Sequence, residues 1–98
     1  MMSPVSEVRA RPVDPRDGRW EVWNPAYRVY FWRPLGPEGA WSSREFEVSG
    51  TDAVEVFAWA TRHAIDDETY TVFALVDHGG DRGLVRLAGV DPTRAERS

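Results

Sequence analysis

Cysteine is absent from the 98 residues, which excludes disulfides, thiolate zinc sites and cysteine nucleophiles. Lysine is absent too: all 12 basic residues are arginine. A GC-rich bacterial coding composition produces that bias, as does selection of arginine for stacking and bidentate contacts. No apolar run reaches the length that spans a bilayer. The start, Met1 to Ser6, lacks the basic-then-apolar order of a secretory signal, so a cytoplasmic location is the default expectation. No Gly-x-Ser-x-Gly elbow, phosphate loop or dinucleotide glycine fingerprint occurs. Basic excess is missing as well, since the formal net charge is -4, and this counts against a duplex nucleic-acid binder.

Hydrophobic content of 42% and charged content of 29% are ordinary for one globular domain. Residues 1–18 hold Pro4, Pro12 and Pro15 among scattered charges and read as a flexible arm; residues 93–98 read as a similar tail. The single domain is then expected over 19–92.

Within it, Arg19 to Trp23 is the first strand candidate, closed by an Asn24-Pro25 turn signal. Tyr27 to Trp32 is the strongest strand, built almost wholly of β-branched and aromatic residues. Pro34 to Gly39 is a loop, and Trp41 to Val48 is a third strand with Phe46 and Val48 opposite Glu45 and Glu47. A helix follows, capped by Thr51 with Asp52 and Glu55 in its first turn, and runs to about Ile65. Asp66-Asp67-Glu68 interrupts, although acids suit a helix C-terminus poorly. Tyr70–Asp77 and Gly83–Val90 are strands four and five around a glycine-bearing loop, His78 to Arg82. The expectation is α+β: a mostly antiparallel, strongly curled five-stranded sheet of order β-β-β-α-β-β, with one helix on one face.

A sheet covered on one side alternates apolar and polar residues. These strands do not. Tyr27, Val29 and Phe31 share one face, while Tyr30 and Trp32 lie on the other beside Arg28. In strand four Tyr70, Val72, Ala74 and Val76 oppose Phe73 and Leu75; in strand five Leu84, Arg86 and Ala88 oppose Val85 and Leu87. One helix cannot bury both faces. Either the sheet curls on itself, or it pairs with a second copy, or it holds a partner. On the helix, Ala53, Val56, Phe57, Ala60 and Ala64 form the inward stripe. Trp59 projects onto the opposite arc with Glu55, Arg62 and His63, either stacked on Arg62 or as an interface anchor.

Chemistry is sparse elsewhere. His63 reads as a solvated side chain, and Asp77-His78-Gly79-Gly80-Asp81 as a plain turn, with a metal contact as its functional alternative. Asp66 to Glu68 reads as a solvated charged loop. Arg28, Tyr30, Trp32 and Arg33 interleave basic and aromatic groups, as single-strand stacking platforms do.

Asn24, Trp32, Pro34 and Pro37-x-Gly39-x-Trp41, followed by a helix, form a pattern similar to that of MbtH-like proteins. The resemblance covers only the second and third strands. It implies binding to an adenylation domain of a nonribosomal peptide synthetase, with Trp32 and Trp41 framing a groove for a partner side chain. The chain departs from the pattern in Tyr30-Phe31 before the first tryptophan, in looser proline and glycine spacing, in lacking the Thr-Asp-x-Arg-Pro segment, and in two further strands.

The functional expectation is a non-enzymatic interaction domain, an adaptor, regulator or immunity-type inhibitor, that self-associates as a homodimer. Its expected partner-binding residues are Trp59, Arg62, Arg28, Tyr30, Trp32 and Trp41. No cofactor and no metal is expected. Single-stranded nucleic acid and an MbtH-like adenylation-domain partner are the alternatives.

Overall fold

The computed structural model describes residues 8–18 and 20–94. Its elements are a short 3-10 turn at Pro15–Asp17, β1 (Ala26–Pro34), β2 (Trp41–Val48), α1 (Ala53–His63), β3 (Thr69–His78) and β4 (Asp81–Gly89). The sheet has four antiparallel strands in the order β2-β1-β3-β4. The class is therefore α+β with one helix, as expected. The five-stranded, strongly curled sheet is not: among the described residues β2 and β4 are both free edges of an open sheet.

The missing strand is the segment before β1. Arg19 lies outside the described residues, and Trp20 to Trp23 form no ladder. A bend at Trp23–Asn24 and Pro25, which has no N–H to donate, end the pairing at Ala26. Beyond it, Val8 to Gly18 are exposed. The rest of the expected arm and tail, 1–7 and 95–98, lies outside the described residues.

β1 is one of the two inner strands, with β3, and is apolar on both sides. Its core face, Tyr27, Val29 and Phe31, packs with Val72 of β3 and with Val56 and Ala60 of α1 into one buried cluster. Asp52, one residue beyond the expected Thr51, caps α1 by accepting the Glu55 N–H at 2.9 Å. The helix ends at His63, two residues short of Ile65. The β3–β4 hairpin turns on Gly79 and Gly80, both at positive φ, which a two-residue hairpin loop needs. A bulge follows in β4. Ala88 pairs with Val72 and Arg86 with Phe73, so Leu87 has no partner and Ala88 moves to the helix side. The expected alternation of Leu84, Arg86 and Ala88 on one face fails at that point.

Candidate functional site

Residues paired across an antiparallel ladder share a face, so the registers define the side of the sheet that α1 leaves uncovered. One transverse row reads Glu47–Arg28–Phe73–Arg86 from β2 to β4. The next reads Glu45–Tyr30–Thr71, and on the other side Ala26–Leu75–Leu84. The centre is apolar: Tyr30 and Phe73 pack with ring centroids 5.3 Å apart and planes inclined by 57°, and Leu84 remains 39% exposed. The flanks are charged with opposite sign. Glu45 and Glu47 are exposed on β2, and Arg82 and Arg86 are exposed on β4.

Two segments frame this face. At one end, the Trp32 indole N–H donates to Thr71 Oγ1 at 3.0 Å, and the Thr71 hydroxyl donates to the Val90 carbonyl at 2.8 Å. This relay seats the Val90–Arg94 turn beside the sheet, leaving Thr71 fully buried and Trp32 only 7% exposed. Beneath the turn lies a cleft of about 550 Å³ lined by Tyr30, Phe73, Leu84, Arg86, Asp91 and Arg94. At the other end a cleft of about 390 Å³ includes Trp20, Val22, Leu75 and Arg82 in its walls. Trp20 and Val22 are more than half exposed, and Trp23 is 82% exposed. A third cleft, of about 530 Å³, opens behind the turn between Tyr70, Ala88 and Pro92.

Electrostatics on the open face are locally balanced. Arg28 Nε lies 3.6 Å from Glu47, and Arg82 Nε lies 3.3 Å from Asp77. The strongest ion pair lies elsewhere. Arg44 of β2 donates to both carboxylate oxygens of Glu68, at 2.9 and 2.7 Å, and also donates to the His63 carbonyl at 3.1 Å. Its guanidinium sits over the Phe31 ring, 4.7 Å from the centroid. The hydrogen bond from Arg44 holds the Glu68 carboxyl down from 4.5 to about 2; burial opposes this, and the Ile65 N–H reinforces it. Arg33 reaches the Ile65 carbonyl at 3.4 Å and lies 3.5 Å from both Asp66 and Asp67. Its Nε is buried with no well-aligned hydrogen bond, so the Asp67 contact is coulombic. These two arginines explain how three acids follow a helix C-terminus. The loop is not simply solvated, because the Glu68 side chain is 4% exposed.

The residues singled out from the sequence scatter. Arg28 and Tyr30 lie on the open face. Trp32 shares that face by register, but its indole is tied to Thr71 beneath the Val90–Arg94 turn. Trp41 is half-buried at the start of edge strand β2, opposite Pro34. By that register Trp41 lies on the same face of the sheet as Trp32, which is 7% exposed. Trp59 is not stacked on Arg62. It packs against Phe31 and Phe46, at 5.8 and 5.5 Å, and its ring stacks on His63 at 4.5 Å. It therefore covers the core, and His63 is not simply solvated. Arg62 is exposed on α1, on the far side of the sheet from Arg28 and Tyr30. Asp77 and Asp81 hold no shared centre: among the described residues, no three His, Asp or Glu side chains converge as metal ligands.

Reading the sequence missed the opposed charges of β2 and β4 and the joining of Phe73 to Tyr30. The individual residues were visible; the β1–β3 pairing that aligns them was not.

No family model, curated protein or solved structure matches the chain. None of the described helices is long and apolar enough to cross a membrane.

Proposed function

We propose that the protein is a non-enzymatic interaction module that self-associates through the open face of its sheet. One observation carries this reading: an apolar centre of half-buried Tyr30, Phe73 and Leu75 and exposed Leu84 lies on the side of the sheet away from α1, between charged flanks of opposite sign. An apolar centre inside a polar rim is the anatomy of a protein interface. Strands are spaced about 4.8 Å apart, so four strands and some seven residues of length give a footprint of roughly 400 Å² per copy. The total buried area is then about 800 Å², below the size of stable specific complexes and in the range of weak, transient ones.

Nucleic acid is a poorer fit to the same face. Arg28 and Arg82 are already paired with acids, and Glu45 adds further negative charge where phosphates would lie. The test is light scattering on the wild type and on Leu84→Glu, which places a charge at a half-exposed position without opening the core. A concentration-dependent dimer that Leu84→Glu weakens by about tenfold or more is expected. An unaffected dimer would move the interface elsewhere. Tryptophan quenching by a single-stranded oligonucleotide at low salt would favour the competing reading instead.

A further inference from the structure

The charge pattern of the open face does more than permit a second copy; it selects how that copy sits. Two sheets meeting face to face by a two-fold rotation have two simple choices of axis in the plane between them. An axis perpendicular to the strands sets β2 on β2. That brings Glu45 and Glu47 against their own kind, and Arg82 and Arg86 likewise, a like-charge arrangement that costs affinity. An axis parallel to the strands exchanges the edges and sets β2 over β4. Positions along the strands are then preserved, so each transverse row meets itself in reverse.

We infer that two copies of this chain pack about a two-fold axis parallel to their strands, with Glu47 against the partner subunit's Arg86. This rests on the self-association proposed above. The row Glu47–Arg28–Phe73–Arg86 is self-complementary under that operation. Glu47 exchanges its 3.6 Å contact with Arg28 for the partner subunit's Arg86, which gives up its 2.9 Å hydrogen bond to the Gly89 carbonyl, and the released Arg28 meets the partner subunit's Phe73 as a cation over an aromatic ring. Facing sheets lie about 10 Å apart, a gap that an arginine and a glutamate from opposite sides span together. The strands then run nearly aligned, as in other stacked sheets. The Val90–Arg94 turn occupies the Trp32–Thr71 end and shares a cleft with Phe73 and Arg86, so the contact begins at this row and extends away from that end toward Leu75, Leu84 and Arg82.

Edge pairing is the competing use of the same polarity. An acidic β2 edge against a basic β4 edge would run head to tail without closing and build a filament. The bulge at Leu87 interrupts the β4 ladder and guards that edge. The face-to-face arrangement closes at two.

The absence of cysteine makes a direct test possible. Glu47→Cys and Arg86→Cys are made as single variants, and each is treated with a short bis-maleimide, alone and in equimolar mixture, at a concentration where the wild type is dimeric, because facing Cα atoms about 10 Å apart lie beyond the reach of a disulfide. The mixture is expected to cross-link at least about tenfold faster than either variant alone, because only the mixed pair brings the two thiols together. Self-cross-linking of Glu47→Cys at the rate of the mixture would overturn the axis while leaving self-association standing. A wild type that stays monomeric overturns both. Charge exchange gives an independent readout: Glu47→Arg and Arg86→Glu each weaken the dimer, and the two together in one chain restore it. A double variant no tighter than the singles would also overturn the pairing.

Discussion

Replacing Glu68 with glutamine keeps the shape of the side chain and removes one charge from the most tightly built ion pair in the protein. The wild-type carboxylate accepts two hydrogen bonds from Arg44 and one from the Ile65 N–H, at 2.7 to 2.9 Å. Its pKa falls from 4.5 to about 2 on folding. Linkage alone would equate that shift with about 3 kcal/mol. Arg44 remains 38% exposed, so solvent screens the pair, and a net contribution of about 1–2 kcal/mol is the better figure. The sign follows from the depressed pKa. The stabilisation is fully present above about 4.5 and is lost as pH falls from there toward 2. Glu68→Gln should therefore be less stable than wild type by about 1–2 kcal/mol at neutral pH. The gap should narrow steadily on acidification, as wild type loses what the variant never had. Urea titrations followed by tryptophan fluorescence at several pH values from neutral to about 3 measure the difference directly. The other carboxylates, common to both proteins, largely cancel. A gap that is constant across this window, or absent at neutral pH, would refute the role assigned to the Arg44–Glu68 pair.

Two further substitutions probe the frame around the open face. At Gly89 φ is +85°, and a Cβ there would collide with the Tyr70 carbonyl oxygen, so Gly89→Ala should cost at least about 2 kcal/mol in denaturant titration. A loss below half of that would show that the β3–β4 junction relaxes freely. Thr71→Val conserves volume but strands the Trp32 indole N–H and releases the Val90 carbonyl. It should destabilise by about 1–3 kcal/mol and shift tryptophan emission to the red as the C-terminal turn lifts. An unchanged spectrum would mean that the relay does not hold the turn.

Much of this fold follows from period-two patterning. Tyr27, Val29 and Phe31 separate from Tyr30 and Trp32 by alternation alone, and that split is what places one set under α1 and the other on the opposite face. The helix is legible for the same reason, within two residues at either end. Misreadings arise where one residue changes the local geometry. Trp20 to Trp23 have strand composition, yet Pro25 and the preceding bend deny them a ladder. Leu87 bulges out and shifts Ala88 to the other side, which no alternation rule anticipates. Trp59 illustrates a different limit. A helical wheel assigns it to the polar arc, but Phe46 of β2 and Phe31 of β1 reach up beside α1 and cover it. Contacts between distant segments were the least legible: Arg44 and Glu68 stand 24 positions apart, and only the topology brings them together. The opposed charges across the open face share that origin, since they depend on β2 and β4 being the two edges of one sheet.

Light scattering over a concentration series from low micromolar to near millimolar tests self-association through the open face most directly. The proposal predicts a mass that rises from the 11.1 kDa of one chain and levels off at twice that value. A mass fixed at one chain throughout the range would contradict it, and one that climbs without levelling would replace the closed dimer with a filament.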